Sequence, residues 1–376
     1  MSRNAKSGNK SKMGEATMKR RKLSAMSNKG SPATNDGDTP EELIAHFTTI
    51  PNKKNLYDAL SGHARIVADG FLKNIDKNIR LPVPIPEKRR VKLDKDEDYI
   101  PAQYVKLENS EYVLVQAPSK ANQRELWRLV WQDQIKVMIC LCTEEQMSAS
   151  DDAKCFPYFP NEANQTKEIE TKKGKLVVTC KAKESTSCMY HKYELEVTMT
   201  EAEGTSEEKK PDEELSGSVA GKVLPITLFH MYGWPQKPEN SKDPFDMSHN
   251  VALLCKEVFK AEMNVLRKSM ENFVPPVLIQ SMDAIGRSAV LWVCLMLYKD
   301  VEKRECFDVP ELIKKVQKMR PGSLSTYHSF CFTFAVSLWI GKEANWMSDS
   351  ECSSKLGELT KGYLDRKLNE QGVPII

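Results

Sequence analysis

The sequence has no long hydrophobic segment. Its longest uninterrupted apolar run, Ala289–Tyr298, is about half of the ~20 residues that a membrane helix needs. Its first residues contain no apolar stretch of the kind found in secretory signals. We therefore expect a protein of the cytoplasm or the nucleus that has no membrane span.

The sequence also lacks a regular cysteine spacing. Its ten cysteines are scattered between Cys140 and Cys352, a pattern typical of reduced thiols in an intracellular protein. Cys140 and Cys142 would face the same side of a strand, but no second pair of ligands stands at a spacing typical of zinc sites. We therefore predict that these thiols pack in the core, and we predict no metal and no cofactor.

An excess of one charge occurs only near the N-terminus. Residues 1–30 hold nine Lys or Arg and a single acid, Glu15. Because they are poor in aromatic residues and rich in Ser, Asn and Gly, residues 1–38 are predicted to form a disordered basic tail. The cluster Lys19–Lys22 matches a nuclear import signal, but such clusters are also common in solvated tails. The folded part does not interleave basic and aromatic residues, so no nucleic-acid partner is expected for it.

Sequence patterns predict one folded domain over residues 39–345, followed by a C-terminal tail at 346–376. Strand-like segments come first and helices later, which is typical of an α/β (α+β) fold, here a single domain with a central twisted mixed sheet flanked by helices. Residues 201–219 are rich in Asp and Glu and almost free of hydrophobic residues, so we predict a mobile acidic loop there. The predicted strands include Arg90–Leu93, Tyr99–Val105, Tyr112–Gln116, Ile135–Cys142 and Val223–Tyr232.

The segment Val277–Ala289 runs from an apolar strand through a loop of small residues into an apolar helix. Such a loop points successive backbone N–H groups at one place, and the helix N-terminus adds a positive dipole. Arg287 supplies a planar guanidinium that suits a phosphate group. We therefore predict a phosphate loop, a name used below for these residues: Ser281, Met282, Asp283, Ala284, Ile285, Gly286, Arg287 and Ser288.

The spacing of Ser281 and Arg287, with five residues between them, resembles the Cys-x5-Arg loop of the cysteine-dependent protein tyrosine phosphatases. Six further segments within Glu41–Ile340 resemble motifs of that family and occur in the family's order. This resemblance implies the fold given above, and the chain is identified as a degenerate member of the family. The six segments are a substrate-recognition loop at Lys73–Ile79, the Asp-Tyr-Ile-Asn-Ala motif at Asp98–Val105, the Gln-Gly-Pro motif at Gln116–Pro118, the Phe-Trp-x-Met-Val-Trp helix at Trp127–Trp131, the Trp-Pro-Asp loop at His230–Gln236 and the Arg-Pro-Gly-x-x-Gln-Thr loop at Arg320–Thr326.

The positions that carry the family's chemistry are replaced. Ser281 stands where the resemblance puts the nucleophilic cysteine, and a hydroxyl does not ionise as a thiol does. Gln236 stands at the position of the aspartate general acid, and a carboxamide cannot donate that proton. Ser325 replaces the glutamine that positions water, and Asp76 replaces the tyrosine that stacks on the substrate ring. Asp283 adds a carboxylate to the loop itself.

These replacements predict a catalytically inactive pseudophosphatase. The resemblance then implies a protein-binding module in phosphotyrosine or kinase signalling, with a phosphoprotein or a kinase as partner. The alternative is a residual protein-tyrosine phosphatase that still hydrolyses phosphotyrosine. For Arg287, a retained anion clamp competes with a structural arginine paired to Asp283, and their closeness in one loop favours the pair. The resemblance implies a structural role for His230, and a new serine hydrolase is not expected because Ser281 does not lie in Gly-x-Ser-x-Gly.

Overall fold

The computed structural model describes a defined part of the chain, and the structural statements below concern that part alone. Several predicted features lie outside it: the tail at 1–38, the acidic loop beyond Glu201, Asp76 and Gln236. They stay predictions. The described residues are 74, 85–93, 99–107, 110–151, 153–171, 174–201, 222–235, 243–268, 274–305, 308–320 and 322–370.

One mixed sheet of eight strands is formed by the described residues. The strands are β1 (Ala102–Leu107), β2 (Ser110–Gln116), β3 (Val137–Cys140), β4 (Thr166–Thr171), β5 (Gly174–Ser185), β6 (Tyr190–Glu201), β7 (Val223–Met231) and β8 (Val277–Ser281). Their order across the sheet is β1-β2-β8-β3-β7-β6-β5-β4. Strands β2, β8, β3 and β7 pair in parallel, whereas β1 and the hairpin strands β4 to β6 pair antiparallel. The predicted mixed sheet is confirmed.

Six α-helices flank this sheet in the described part of the chain, so the predicted α/β fold class is confirmed. None of these helices combines the length and the apolar character that crossing a membrane requires. The helices are α1 (Gln123–Gln132), α2 (Ser248–Lys268), α3 (Arg287–Lys303), α4 (Val309–Met319), α5 (Tyr327–Glu343) and α6 (Asp349–Glu370).

The central strands bury both of their faces, because side chains alternate along a strand and helices cover each side. In β8, Ile279 belongs to the hydrophobic cluster formed with helices α2 to α6, whereas its neighbour Leu278 belongs to the cluster formed with α1. Trp127 of α1 is fully buried in the second cluster, and its indole N–H donates to the Tyr158 carbonyl at 2.9 Å. The core therefore consists of two layers that share the sheet.

Helix α3 is buried on every side along most of its length. Each residue from Arg287 to Tyr298 is buried, which confirms the central helix predicted from the apolar run. Only residues 282–286 separate β8 from α3, and the first residue of α3 is the arginine of the phosphate loop. Burial of the helix fixes the position of that loop.

The structure corrects two predictions, one for the end of the folded domain and one for a strand. Trp346, Cys352 and Leu359 lie in the same hydrophobic cluster as α3, and helix α6 spans much of the predicted C-terminal tail, so the folded domain extends past residue 345. The predicted strand at Arg90–Leu93 is only a single bridge, between Arg90 and Gln103. Its alternating pattern reflects burial against the core, which does not require strand pairing.

Candidate functional site

The phosphate loop lies at the carboxyl edge of the parallel strands. The register places Gln116 of β2 beside Ser281 of β8, and Cys140 of β3 beside both Gln280 of β8 and His230 of β7. In open sheets of this type, ligands bind at the carboxyl ends of the strands. The loops that follow four neighbouring strands are therefore available to build one site.

The turn from β8 into α3 depends on a residue in the left-handed region. Ala284 has φ 59°, a conformation that disfavours residues with a Cβ. Its carbonyl accepts a hydrogen bond from Arg320 Nε at 3.4 Å, and the Leu324 N–H donates to the Ile285 carbonyl at 3.3 Å. The segment that contains Arg320 and Leu324 therefore stabilises this turn through hydrogen bonds from outside the phosphate loop.

Ser281, at the predicted nucleophile position, is 1% exposed, and its hydroxyl is engaged within the loop. Its Oγ accepts the Ala284 N–H at 3.1 Å and donates to Ser288 Oγ at 3.1 Å. The carboxylate oxygen Oδ1 of Asp283 lies farther away, at 3.5 Å. No histidine is among the described hydrogen-bond partners of Ser281, so the histidine base that commonly activates a serine nucleophile is not in contact with it there.

Asp283 directs its carboxylate into its own loop. Its Oδ1 accepts the backbone N–H groups of Ile285 and Gly286, each at 3.1 Å. These are two of the successive N–H groups that a phosphate loop points at an anion. The added carboxylate is therefore part of the loop's hydrogen bonding.

Arg287 is 6% exposed and joins the phosphate loop to two other loops. Its Nη1 donates to the Trp234 carbonyl, after β7, at 2.6 Å, and its Nη2 donates to Gln146 Oε1, after β3, at 2.6 Å. Both of these bonds go to neighbouring loops, whereas Asp283 acts on Arg287 through its negative charge. A structural arginine partnered by Asp283, and the competing anion clamp, stay predictions.

Burial lowers the pKa of both arginines near the loop. Burial lowers the pKa of Arg287, while negative charge on Cys142 and Asp283 acts in the opposite direction. Burial also lowers the pKa of Arg320 to about 10, again opposed by the charge of Asp283. Arg320 therefore remains cationic at neutral pH, and the negative charge of Asp283 favours the cationic form of both arginines.

Gln146 is a site residue that the sequence alone did not identify. It ends a short 3-10 helix at Glu144–Gln146, and its side-chain oxygen also accepts the Thr143 N–H at 3.1 Å. The spacing from Thr143 to Gln146 is that of a capping box, which predicts a local role. The contact with Arg287, far away along the sequence, left no local signal.

The layer beneath Ser281 is buried and hydrogen-bonded. Gln280 Nε2 donates to Cys142 Sγ at 3.1 Å, and the Tyr158 hydroxyl donates to Gln280 Oε1 at 3.4 Å. Cys140 and Cys142 are fully buried, which confirms core packing for this pair. Within the described residues, no cluster of His, Cys, Asp or Glu has the arrangement of a metal site.

His230 lies at the edge of this layer, where it is 5% exposed. Its Nε2 donates to the Cys142 carbonyl at 2.8 Å. Burial lowers the pKa of His230, so the imidazole stays neutral at physiological pH. This contact ties β7 to the end of β3 and agrees with a structural role.

Two further predicted site residues, Ser325 and Met282, lie in the part of the chain that the structure describes. Ser325 is exposed in the turn before Thr326, the N-cap of α5. Met282 is partly buried and packs against the α1 side of the core. Asp76 and Gln236 lie outside the described residues.

The arrangement of this loop matches a known family. Residues 74–339 match the family model described as protein-tyrosine phosphatase. The chain belongs to the protein-tyrosine phosphatase family. The match includes the phosphate loop, the loop at Trp234 and most of the described sheet.

Similar curated proteins are tyrosine-protein phosphatases of low identity. Non-receptor type 20 of Mus musculus is 21% identical over 271 residues, which are 71% of this chain and 54% of that protein. Non-receptor type 2 of Mus musculus is 24% identical over 297 residues, 77% of this chain and 63% of that protein. Non-receptor type 9 of Homo sapiens is 22% identical over 288 residues, 74% of this chain and 44% of that protein. The chain spans less than two thirds of the length of each of these relatives.

Proposed function

We propose that this chain is a catalytically inactive phosphatase domain that binds a protein partner without hydrolysing a phosphate ester. The observation that carries the proposal is Ser281, whose hydroxyl stands at the nucleophile position and is bonded to Ser288 and to the Ala284 N–H. The chemistry of this family needs a thiolate nucleophile, and a serine hydroxyl with these neighbours is not ionised.

Two replaced positions support the same proposal. Gln236 occupies the sequence position of the general acid, and loss of a general acid alone lowers rates by about 10²–10⁴-fold. Ser325 occupies the position of the residue that orients the hydrolytic water. Without a nucleophile no covalent phosphoenzyme forms, so neither protonation of the leaving group nor orientation of the hydrolytic water can lead to turnover.

The partner we propose is a phosphoprotein or a kinase in phosphotyrosine signalling, in the cytoplasm or the nucleus. The relatives described above as non-receptor phosphatases support this class of partner. The fold supports it too, because the loops at the carboxyl edge are held together by Arg287 even though the reactive groups are replaced.

Turnover of p-nitrophenyl phosphate by the full chain tests the proposal. We expect no release of p-nitrophenol above that of Ser281→Ala, which serves as the control for contaminating phosphatases. The double variant Ser281→Cys, Gln236→Asp is expected to gain measurable turnover. A burst of product together with phosphate covalently attached to Ser281 would show that the chain is an active phosphatase, the alternative function.

The partner class is tested by capturing proteins from a cell extract before and after phosphatase treatment. A phosphoprotein is retained only from the untreated extract, whereas a kinase bound through its folded surface is retained from both. Ser281→Ala is expected to retain the same partner, because binding does not require the hydroxyl. Absence of any specific partner in both extracts would contradict the binding function.

A further inference from the structure

The loop that should receive an anion already contains one. Two successive N–H groups, those of Ile285 and Gly286, converge on one oxygen of Asp283 at 3.1 Å each. Convergence of neighbouring N–H groups on one point is the geometry by which such loops hold phosphate. In this chain the point of convergence is a side chain of the loop itself.

Asp283 also lies where negative charge is most favourable. Its charge stabilises the cationic forms of Arg287 and Arg320, which are 6% and 1% exposed, respectively. Buried cations need a compensating charge, since desolvation disfavours them. The carboxylate of Asp283 therefore supplies part of the charge that a bound oxyanion would otherwise provide to this part of the fold.

Two hydrogen-bond donors of Arg287 are directed to groups on neighbouring loops. Both guanidinium bonds at 2.6 Å go to acceptors on neighbouring loops, the Trp234 carbonyl and Gln146 Oε1. An entering oxyanion would have to replace these bonds as well as the bonds of Asp283. The Ser281 hydroxyl is likewise satisfied within the loop.

We propose that Asp283 is the internal ligand of its own phosphate loop: its carboxylate occupies the N–H groups that an external oxyanion needs, so the native loop excludes phosphate. The proposal rests on the proposed function, because it assigns this loop a structural role in a binding protein. It follows that a partner is recognised through contacts that place no phosphate in the loop.

Titration of the full chain with inorganic phosphate and with tungstate tests this inference, with calorimetry and the melting temperature as readouts. The native protein is expected to show no saturable binding and no shift in melting temperature. Asp283→Ala is expected to bind either oxyanion on the order of tenfold to a hundredfold more tightly than the limit set by the native protein, the size typical of a freed charge-assisted hydrogen bond.

Three further variants separate the causes. Asp283→Asn keeps an acceptor oxygen for the N–H groups but removes the charge, so a smaller gain is expected. Asp308→Ala is the matched control, because Asp308 also accepts a backbone N–H at a helix start, that of Glu311 at 3.0 Å in α4, and its loss should give no oxyanion binding. Adding Arg287→Ala to Asp283→Ala should abolish the gain and thereby locate it in this loop.

Two results would overturn the inference. The first is oxyanion binding by the native protein that is as tight as that of Asp283→Ala. The second is a folded Asp283→Ala that binds no better than the native protein; if that variant does not fold, the same result with Asp283→Asn is decisive. Either result leaves the proposed lack of turnover untouched, because the p-nitrophenyl phosphate assay tests that function separately.

Discussion

The scaffold of this protein and its phosphate loop are held by different interactions. Helix α3 and strand β8 are buried apolar segments whose neighbours are other apolar side chains. The loop between them is held by hydrogen bonds among Ser281, Asp283 and Ser288 and by contacts from Arg287 and Arg320. The chemistry of the family belongs to the loop, whereas the stability of the fold belongs mainly to the scaffold. Catalytic side chains can therefore be replaced without loss of the fold.

The largest loss of unfolding free energy is expected for a substitution in the scaffold. Trp127→Ala removes a fully buried indole and leaves the Tyr158 carbonyl without its 2.9 Å donor, so the free energy of unfolding should fall by about 3–5 kcal/mol. Urea denaturation measures the change. Trp127→Phe keeps most of the apolar volume and should cost less. A loss under about 1 kcal/mol for Trp127→Ala would mean that this layer does not carry the stability we assign to it.

The second-largest loss of unfolding free energy is expected at a largely buried ion pair toward the C-terminal end of α3, whose side chains are 12% and 11% exposed. Lys299 Nζ donates to Glu262 Oε1 at 2.9 Å and lies 4.8 Å from the centre of the Tyr112 ring. Lys299→Met leaves the carboxylate uncompensated and should lower the free energy of unfolding by about 3–5 kcal/mol at neutral pH. Denaturation of both proteins at several pH values measures it.

The pH dependence of that loss has a defined sign. Burial raises the pKa of Glu262 above its ordinary value of 4.5, whereas Lys299 lowers it. The folded protein therefore holds this proton more tightly than the unfolded chain, and the resulting stabilisation is lost as pH rises through the folded pKa. Lys299→Met should thus be least harmful near pH 5 and most harmful near pH 8. An equal loss at both pH values would contradict the assignment.

Smaller losses of unfolding free energy are expected for substitutions within the loop. Ser281→Ala and Ser288→Ala each remove the hydrogen bond between the two hydroxyls, so each should cost about 0.5–1.5 kcal/mol of unfolding free energy. The double variant should cost less than the sum, because the second substitution has no shared bond left to break. Thermal and urea unfolding of the native protein, the two single variants and the double variant measures this double-mutant cycle. Strict additivity would show that the two hydroxyls do not interact.

The scaffold was predictable because its signals are local. The apolar run that became α3 and the continuous apolar segments around Tyr112 and Ile279 are patterns that require burial. The resemblance to the family then supplied the position of the phosphate loop. Helix α6 was missed because its sequence is mostly polar and only residues such as Cys352 and Leu359 enter the core.

The hydrogen-bond partners of the loop residues could not be predicted from the sequence in the same way. The choice of Trp234 and Gln146 as partners of Arg287 depends on how three loops meet in space. Asp283 and Arg287 are close in sequence, and that closeness predicts their electrostatic interaction but not the loop amides that the Asp283 carboxylate accepts. Sequence identifies which groups are present, whereas the direction of each side chain follows from the turn that carries it.

The smallest effect concerns the strained turn. Ala284 and Asn345 have nearly the same φ, 59° and 60° respectively, but asparagine tolerates this region better than alanine. Ala284→Gly should relieve strain and change the free energy of unfolding by about zero to +1 kcal/mol, since glycine also loses more entropy on folding. Asn345→Gly, the matched control, has less strain to relieve and should be neutral or destabilising. Melting temperatures of the two variants measure this difference. If Ala284→Gly is the more destabilising of the two, the turn that positions the phosphate loop is held without strain. Its conformation is then set by the contacts of Arg320 and Leu324 alone.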